Sequence, residues 1–561
     1  MNRSGLTILS ITALLSSLVV ALPVQANDFS AEEMSEAIFL PVINVDPDIE
    51  RASNVQLRVG RQVMPSLDTG SNPTPGSSAD LNVERAATVD PLNLPALPVN
   101  SAPAIEPAPI LESAPAIESA PVIESAPALE PDPMTQAVTA YNQGVRSYNK
   151  GDYGVAITQF DTAIAANQGY AEAYVFRAAT HLKLSDPVTA MADYTAAIAA
   201  SPDYPLARFA RGALFYEMGE MAAAMEDFEQ AIALNPAYVE AYDYRGLTDA
   251  AIGNHEGAMV SFDQALNLDP TYAPAHLHRG TSLIALGEYD SAVVSLTAAI
   301  KNRSNYTQAH LNRGVAYYHL GTFPAALDDL NQAVRLDSDS SEAYYNRSYV
   351  YLALGRPTRA LEDINQVLTR QPNSVEAYMA RGNLYRTQGN TAAAIADFSR
   401  VLQLDVYSSE AYYQRALARL ANNNVQEAIA DYDAAIGLNP IDSRLYKGRA
   451  DADAIDGNLP GAIADYTYAI ELDNSYADAY AARGRALYES GDARSAYQDF
   501  SRLIRQNPTA SADVYYYRGL TLMALGDSFA AHSDLQAAAE RYLATGRADG
   551  YRAVMDRMRR L

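Results

Sequence analysis

Eleven arginines recur about every 34 residues, from Arg177 to Arg518. Nine aspartates (Asp193, Asp227, Asp329, Asp363, Asp397, Asp431, Asp465, Asp499 and Asp534) each follow one of them by sixteen residues. A guanidinium and a carboxylate in register form a bidentate, charge-assisted pair. The spacing therefore predicts a ladder of ion pairs, Arg211 with Asp227 and Arg381 with Asp397 among them, provided the chain turns back midway between the partners. Such a ladder is structural, not catalytic. Four of the seven histidines, His276, His278, His310 and His319, lie close together in sequence. A metal site needs side chains converging on one point, and only His278 and His319 are candidates for it. No phosphate loop, nucleophile elbow or metalloprotease helix occurs. No cofactor is expected and the chain is read as a non-enzyme.

What must position these residues is a repeat. Gly151, Gly219, Gly253, Gly287, Gly321, Gly355, Gly389, Gly457 and Gly491 fall on one 34-residue grid, with Ser185 and Asn423 at its other two sites and Gly526 one residue late. Self-similarity at this period means one helical hairpin stacked many times. A second punctuation, Pro202, Pro236, Pro270, Pro372, Pro440 and Pro508, stops the second helix of each unit. Acids at Glu172, Glu240, Glu342, Glu376, Glu410, Asp478 and Asp513 fall in first helical turns, where they complement the helix dipole. An acidic rail for a basic partner is the alternative reading.

If the grid glycine is given position 15, a small residue recurs at 8, alanine at 20, a large apolar residue at 24, alanine at 27 and proline at 32. This pattern resembles the tetratricopeptide repeat family over twelve consecutive units. Two departures stand out. Position 4, often Trp in the family, is Tyr174, Tyr242, Tyr344, Tyr378, Tyr412, Tyr446, Tyr480 and Tyr515 here, in a chain without Trp. Position 7, usually Leu, carries the arginines. The arginine variant and the C-terminal tail look like exported, cyanobacterial-type members. The resemblance implies an all-α, right-handed superhelical solenoid of about twelve hairpins with a C-terminal capping helix. It also implies ligands along the inner face made by first helices. On that face the candidate partner-binding residues are Phe209, Tyr216, Tyr318, Tyr345, Asn346, Asn383, Tyr413 and Tyr488, and ordinary packing between units is the alternative for each aromatic. His276 and His310 stand at position 4, in place of the family's aromatic. The carboxylate clamp of some relatives is absent, since its lysine and asparagine positions are not filled within one pair of units.

The remaining segments read as follows. Residues 1–26, with Arg3, the apolar run Leu6–Leu22 and Val24-Gln25-Ala26, resemble a cleaved export signal, which places the protein in the periplasm or outside the cell with no transmembrane segment after cleavage. Residues 27–100 are read as mostly disordered. Residues 101–134 form a linker of five hexads (SAPAIE, PAPILE, SAPAIE, SAPVIE, SAPALE), extended by proline and by one glutamate each. Residues 135–540 hold the array and 541–561 the capping helix. The net charge is −26, and no stretch offers the basic surface that phosphate backbones require, so nucleic acid is excluded as a partner. The expected function is a non-enzymatic scaffold or adaptor of the bacterial envelope that binds a protein or peptide partner. The alternative is a periplasmic assembly factor delivering a metal ion to an envelope or photosynthetic complex.

Overall fold

The computed structural model describes residues 132–560, so the export signal, the 27–100 segment and the hexad linker lie outside the described residues. Within them every regular element is a helix. Two units divide the described chain, residues 132–338 and 339–560. The first unit holds six hairpins: α1 (Pro133–Asn149) with α2 (Tyr153–Ala166), α3 (Ala171–Lys183) with α4 (Pro187–Ala200), α5 (Pro205–Glu217) with α6 (Met221–Leu234), α7 (Val239–Ala251) with α8 (His255–Leu268), α9 (Ala273–Ala285) with α10 (Tyr289–Asn302), and α11 (Thr307–His319) with α12 (Phe323–Leu336). The second holds six more: α13 (Ser341–Ala353) with α14 (Pro357–Arg370), α15 (Val375–Thr387) with α16 (Thr391–Leu404), α17 (Ser409–Ala421) with α18 (Val425–Leu438), α19 (Ser443–Asp456) with α20 (Leu459–Leu472), α21 (Ala477–Glu489) with α22 (Ala493–Gln506), and α23 (Ala512–Ala524) with α24 (Ser528–Ala544). The last helix is α25 (Ala548–Met558).

Each hairpin turns on its grid residue. Gly321 is left-handed at φ +70°, its N–H bonds Tyr318 O at 2.9 Å and the next N–H, of Thr322, bonds Tyr317 O at 2.9 Å. That pair of bonds satisfies the last carbonyls of α11 as a Schellman motif. Ser185 and Asn423 take the same left-handed conformation, at φ 59° and 62°, at a steric cost that glycine avoids.

Inside a hairpin the two helices approach closely because position 8 has no side chain. A Cβ on Gly246 would lie 2.5 Å from Phe262 Cε1, and one on Gly212 would lie 2.9 Å from Phe228 Cε1. Where position 8 is alanine, at Ala178, Ala416 and Ala450, position 24 is tyrosine: Tyr194, Tyr432 and Tyr466, all buried. The core is thus a series of short seams, each shared by one hairpin and the next, such as Phe209, Phe228, Tyr244 and Phe262 in the first unit.

Residues 541–561, read as one capping helix, divide differently. α24 is 17 residues long and continues through Ala544, and α25 starts only at Ala548. Gly546, at φ +70°, makes the turn between them. Val554 and Tyr542 close the end of the second unit's core.

Candidate polypeptide-binding face

Position 7 on each first helix and position 23 on its partner stand level. Arg211 Nε donates to Asp227 Oδ2 at 2.7 Å and Nη2 to Oδ1 at 2.9 Å. Arg381 and Asp397 repeat this geometry at 2.8 and 2.7 Å, and so do the pairs from Arg177–Asp193 to Arg518–Asp534. Eight of the nine aspartates are buried and Asp465 is partly so, while the arginines keep roughly a fifth of their surface, as with 3% for the Asp227 side chain against 21% for Arg211. Where position 23 is serine, Arg245 donates to Ser261 Oγ at 3.0 Å and Arg279 to Ser295 Oγ at 2.6 Å.

A second arm of the same arginines escapes the sequence reading. Arg177 Nη1 reaches Asp161 of the preceding hairpin at 2.6 Å, Arg381 Nη1 reaches Asn365 at 2.7 Å and Arg449 Nη1 reaches Asp433 at 2.6 Å. One guanidinium therefore ties two successive second helices together, and stacks at 5.2–5.8 Å over the position-4 tyrosine of its own helix. The available signal was a polar residue sixteen places before each arginine, among them Asp161, Thr195, Asp263, Thr297, Asn365, Ser399, Asp433 and Thr467.

The environment of each carboxylate differs. Burial works against the charge of Asp329, but donation from Arg313 and from His310 Nδ1 at 2.9 Å outweighs it and holds the carboxyl below its ordinary 3.8. Burial pushes Asp363 above 3.8, with Arg347 opposing only in part. The contribution of Asp329 to stability is therefore complete above pH 3.8 and lost as pH falls through its lower folded value. Asp363 costs stability above its raised value, and that cost is relieved on acidification. Carboxyl-detected NMR titration should find Asp329 titrating below and Asp363 above 3.8. The reverse order would show that burial and not pairing governs Asp329.

The histidines do not converge. His276 Nε2 contacts Pro270 O at 3.0 Å, the same turn carbonyl that Tyr378 and Tyr446 reach with their hydroxyls in their own repeats. His276 thus takes over the tyrosine's role. His278 is buried and pairs with Asp243 of the preceding hairpin at 2.9 Å. His319 stacks on Tyr289 at 4.5 Å. Among the described residues no group of three His, Asp or Glu side chains is placed to hold a metal ion.

First helices line the inner side of each unit. In the first unit α1, α3, α5, α7, α9 and α11 touch in succession, as do α15, α17, α19, α21 and α23 in the second, to an extent that neighbouring second helices nowhere reach. Four of the eight candidate residues do not lie on this surface. Phe209 is 1% exposed, wedged between Phe228 of its own hairpin and Tyr244 of the next at 5.9 and 5.3 Å. Tyr216 and Tyr318 are buried likewise. Asn346 is 0% exposed, with neither amide atom partnered among the described residues. These positions face the seam between hairpins and are withdrawn from the binding face. Tyr345, Asn383, Tyr413 and Tyr488 are half-buried and remain on it.

Two features of this face were missed. In the first unit Tyr170, Tyr204, Tyr238, Tyr272 and Tyr306 stand at the start of α3, α5, α7, α9 and α11, whereas Asp132 precedes α1. Burial, and then neighbouring acids and tyrosines of the row, push Tyr204, Tyr238 and Tyr272 well above ordinary phenol values. Their 34-residue spacing was visible in the sequence. In the second unit these sites are mostly serine, and cations gather instead: Arg386, Arg444 and Lys447 all act on Tyr413. No helix among the described residues is long and apolar enough to cross a membrane.

A model described as tetratricopeptide repeat matches residues 141–205, 277–341, 345–408 and 413–477, and a second of the same description matches 207–238. Among solved structures, YrrB, titled a TPR protein with an unusual peptide-binding site, is 22% identical over 34% of this chain and 97% of that chain, with a TM-score of 0.29. Yeast Tom70 is 16% identical over 75% and 96%, with a TM-score of 0.34. A protein of Thermus thermophilus, titled a thermophilic TPR protein, is 24% identical over 33% and 99%, with a TM-score of 0.29. No curated protein matches the chain. The matched repeat segments span just over half of the 561 residues, and the chain belongs to the tetratricopeptide repeat family.

Proposed function

We propose that the protein is a non-enzymatic scaffold that binds polypeptide partners along the first-helix faces of its two units. Tetratricopeptide repeats generally mediate protein–protein interaction. The observation that carries the reading is a division of labour on each first helix. The position-7 arginines are held between helices, most of them in ion pairs with aspartate. What the inner side presents is half-buried tyrosine with amides, Tyr170, Tyr204 and Tyr238 in one unit and Tyr345, Asn383 and Tyr413 in the other, joined in the second unit by Arg386, Arg444 and Lys447. Tyrosine offers a large apolar body and a polar tip at low entropic cost, which suits contacts with peptides. The apolar run Leu6–Leu22 supports placing the scaffold outside the cytoplasm, in a bacterial envelope.

Affinity on such a face is the sum of many weak contacts. Random dodecapeptides displayed against the full chain should yield binders, and Tyr204→Ala combined with Tyr238→Ala, or Tyr413→Ala alone, should weaken them about tenfold or more by fluorescence anisotropy. If neither display nor crosslinking yields a polypeptide whose binding responds to these substitutions, the scaffold reading fails.

A further inference from the structure

The hairpin turns of the first unit carry a row of exposed apolar side chains that the fold does not use. Leu184, Met218, Ile252 and Leu286 end α3, α5, α7 and α9, each just before the left-handed turn residue, and between 41% and 60% of each is exposed. The turn itself does not ask for them. The apolar contact of a Schellman motif is made by the residue after the glycine and one in the last helical turn, not by this one. In four hairpins of the second unit the same site is polar, as Gln388, Asn422, Asp456 and Ser490, with leucine only at its ends, Leu354 and Leu525.

Acids accompany this row from the third hairpin to the fifth. Glu220, Glu256, Glu288 and Asp290 are exposed within four residues of Met218, Ile252 or Leu286, and segments 217–222, 251–256 and 285–290 contain no Lys or Arg. Glu220 and Glu288 stand at the N-caps of α6 and α10 without a side-chain capping bond, so neither carboxylate is spent on its own helix. This charge decides the occupant. An anionic bilayer is repelled, and two copies of the chain would bring like-charged edges together. A cationic polypeptide is attracted, and the spacing sets its form. First helices touch in succession, which places the apolar residues about 10 Å apart. An α-helix presents side chains i and i+7 about 10.5 Å apart on nearly one face. An extended strand needs backbone partners, whereas the N–H groups at this edge are already used, Gly219 on Tyr216 O and Glu220 on Phe215 O among them.

We propose that Met218, Ile252 and Leu286, with the acids beside them, form a docking edge for a basic amphipathic helix of a partner protein. Leu184, with Lys183 next to it, lies past the acidic part. The edge is made of turns and not of the inner sides of first helices, so it stands or falls separately from the inner face.

The test displays helical peptides of about 18 residues, selects them on the full chain and counter-selects on the triple variant Met218→Ser, Ile252→Ser, Leu286→Ser. Survivors should carry apolar residues seven apart with Lys or Arg between them. By fluorescence anisotropy, synthetic survivors should weaken about tenfold or more on the triple variant, and likewise on Glu220→Lys with Glu288→Lys, and should weaken with added salt. Tyr204→Ala with Tyr238→Ala should leave their binding unchanged, which separates this edge from the inner face. The triple variant should melt with the parent, because no core residue changes; a lower melting point would assign the row to packing and overturn the edge. Selection of no discriminating peptide, or of survivors that are neutral or acidic, overturns it too. Self-association in sedimentation that the triple substitution abolishes would give the edge to a second copy, and binding to phosphatidylglycerol vesicles lost in the same way would give it to a bilayer; either outcome overturns the proposal.

Discussion

Phe262→Ala is expected to destabilise the first unit by about 3–5 kcal/mol, the range for emptying an aromatic site in a closed core. The ring is 0% exposed, occupies the space that Gly246 leaves open, and meets His278 of the next hairpin at 5.9 Å. Collapse cannot refill the cavity, because the spacing of α7 and α8 is fixed by the Arg245–Ser261 bond and by their turn. In a repeat stack each hairpin contacts only its neighbours, so the loss should appear first as faster amide exchange in α7, α8 and α9. Phe529, 90% exposed at the start of α24, provides the control. Phe529→Ala should stay within about 0.5 kcal/mol. Equal urea midpoints for the two variants would show that position 24 does not hold the hairpin together.

Asp227→Ala should cost about 2–4 kcal/mol, somewhat less than a fully buried pair, because Arg211 keeps contact with water. The variant leaves the guanidinium beside the seam with a single 3.4 Å contact to Thr195. Arg211→Leu removes the charge with its partner left behind, and Arg211→Leu with Asp227→Leu removes both. The double variant should be near neutral or stabilising, since burial of well-packed apolar groups replaces a desolvated pair. Urea unfolding of the three variants decides the matter. A double variant as unstable as Asp227→Ala would show that position 7 acts by shape, with the ion pair incidental.

These outcomes also separate what was readable from what was not. The turn glycines, the prolines and the level placement of positions 7 and 23 are consequences of local periodicity. A helix has 3.6 residues per turn and the hairpin turn is specified by a few residues, so Arg211 must stand opposite Asp227 wherever the hairpin sits. The length of α24 was misjudged because Gly526 and Gly546 both end helices and nothing local says which one closes the last repeat.

The amino-acid sequence alone thus determined the hairpin, its repetition, the arginine–aspartate ladder and the family. The tertiary structure alone decided which tyrosines and asparagines meet solvent. Phe209 and Tyr413 occupy the same position 5 of their repeats, yet one is sealed against Tyr244 and the other stays half-open among Arg386, Arg444 and Lys447. The reason is that exposure at a seam depends on the volume and charge of side chains contributed by the next hairpin, 34 residues away, and no periodicity within one repeat carries that information.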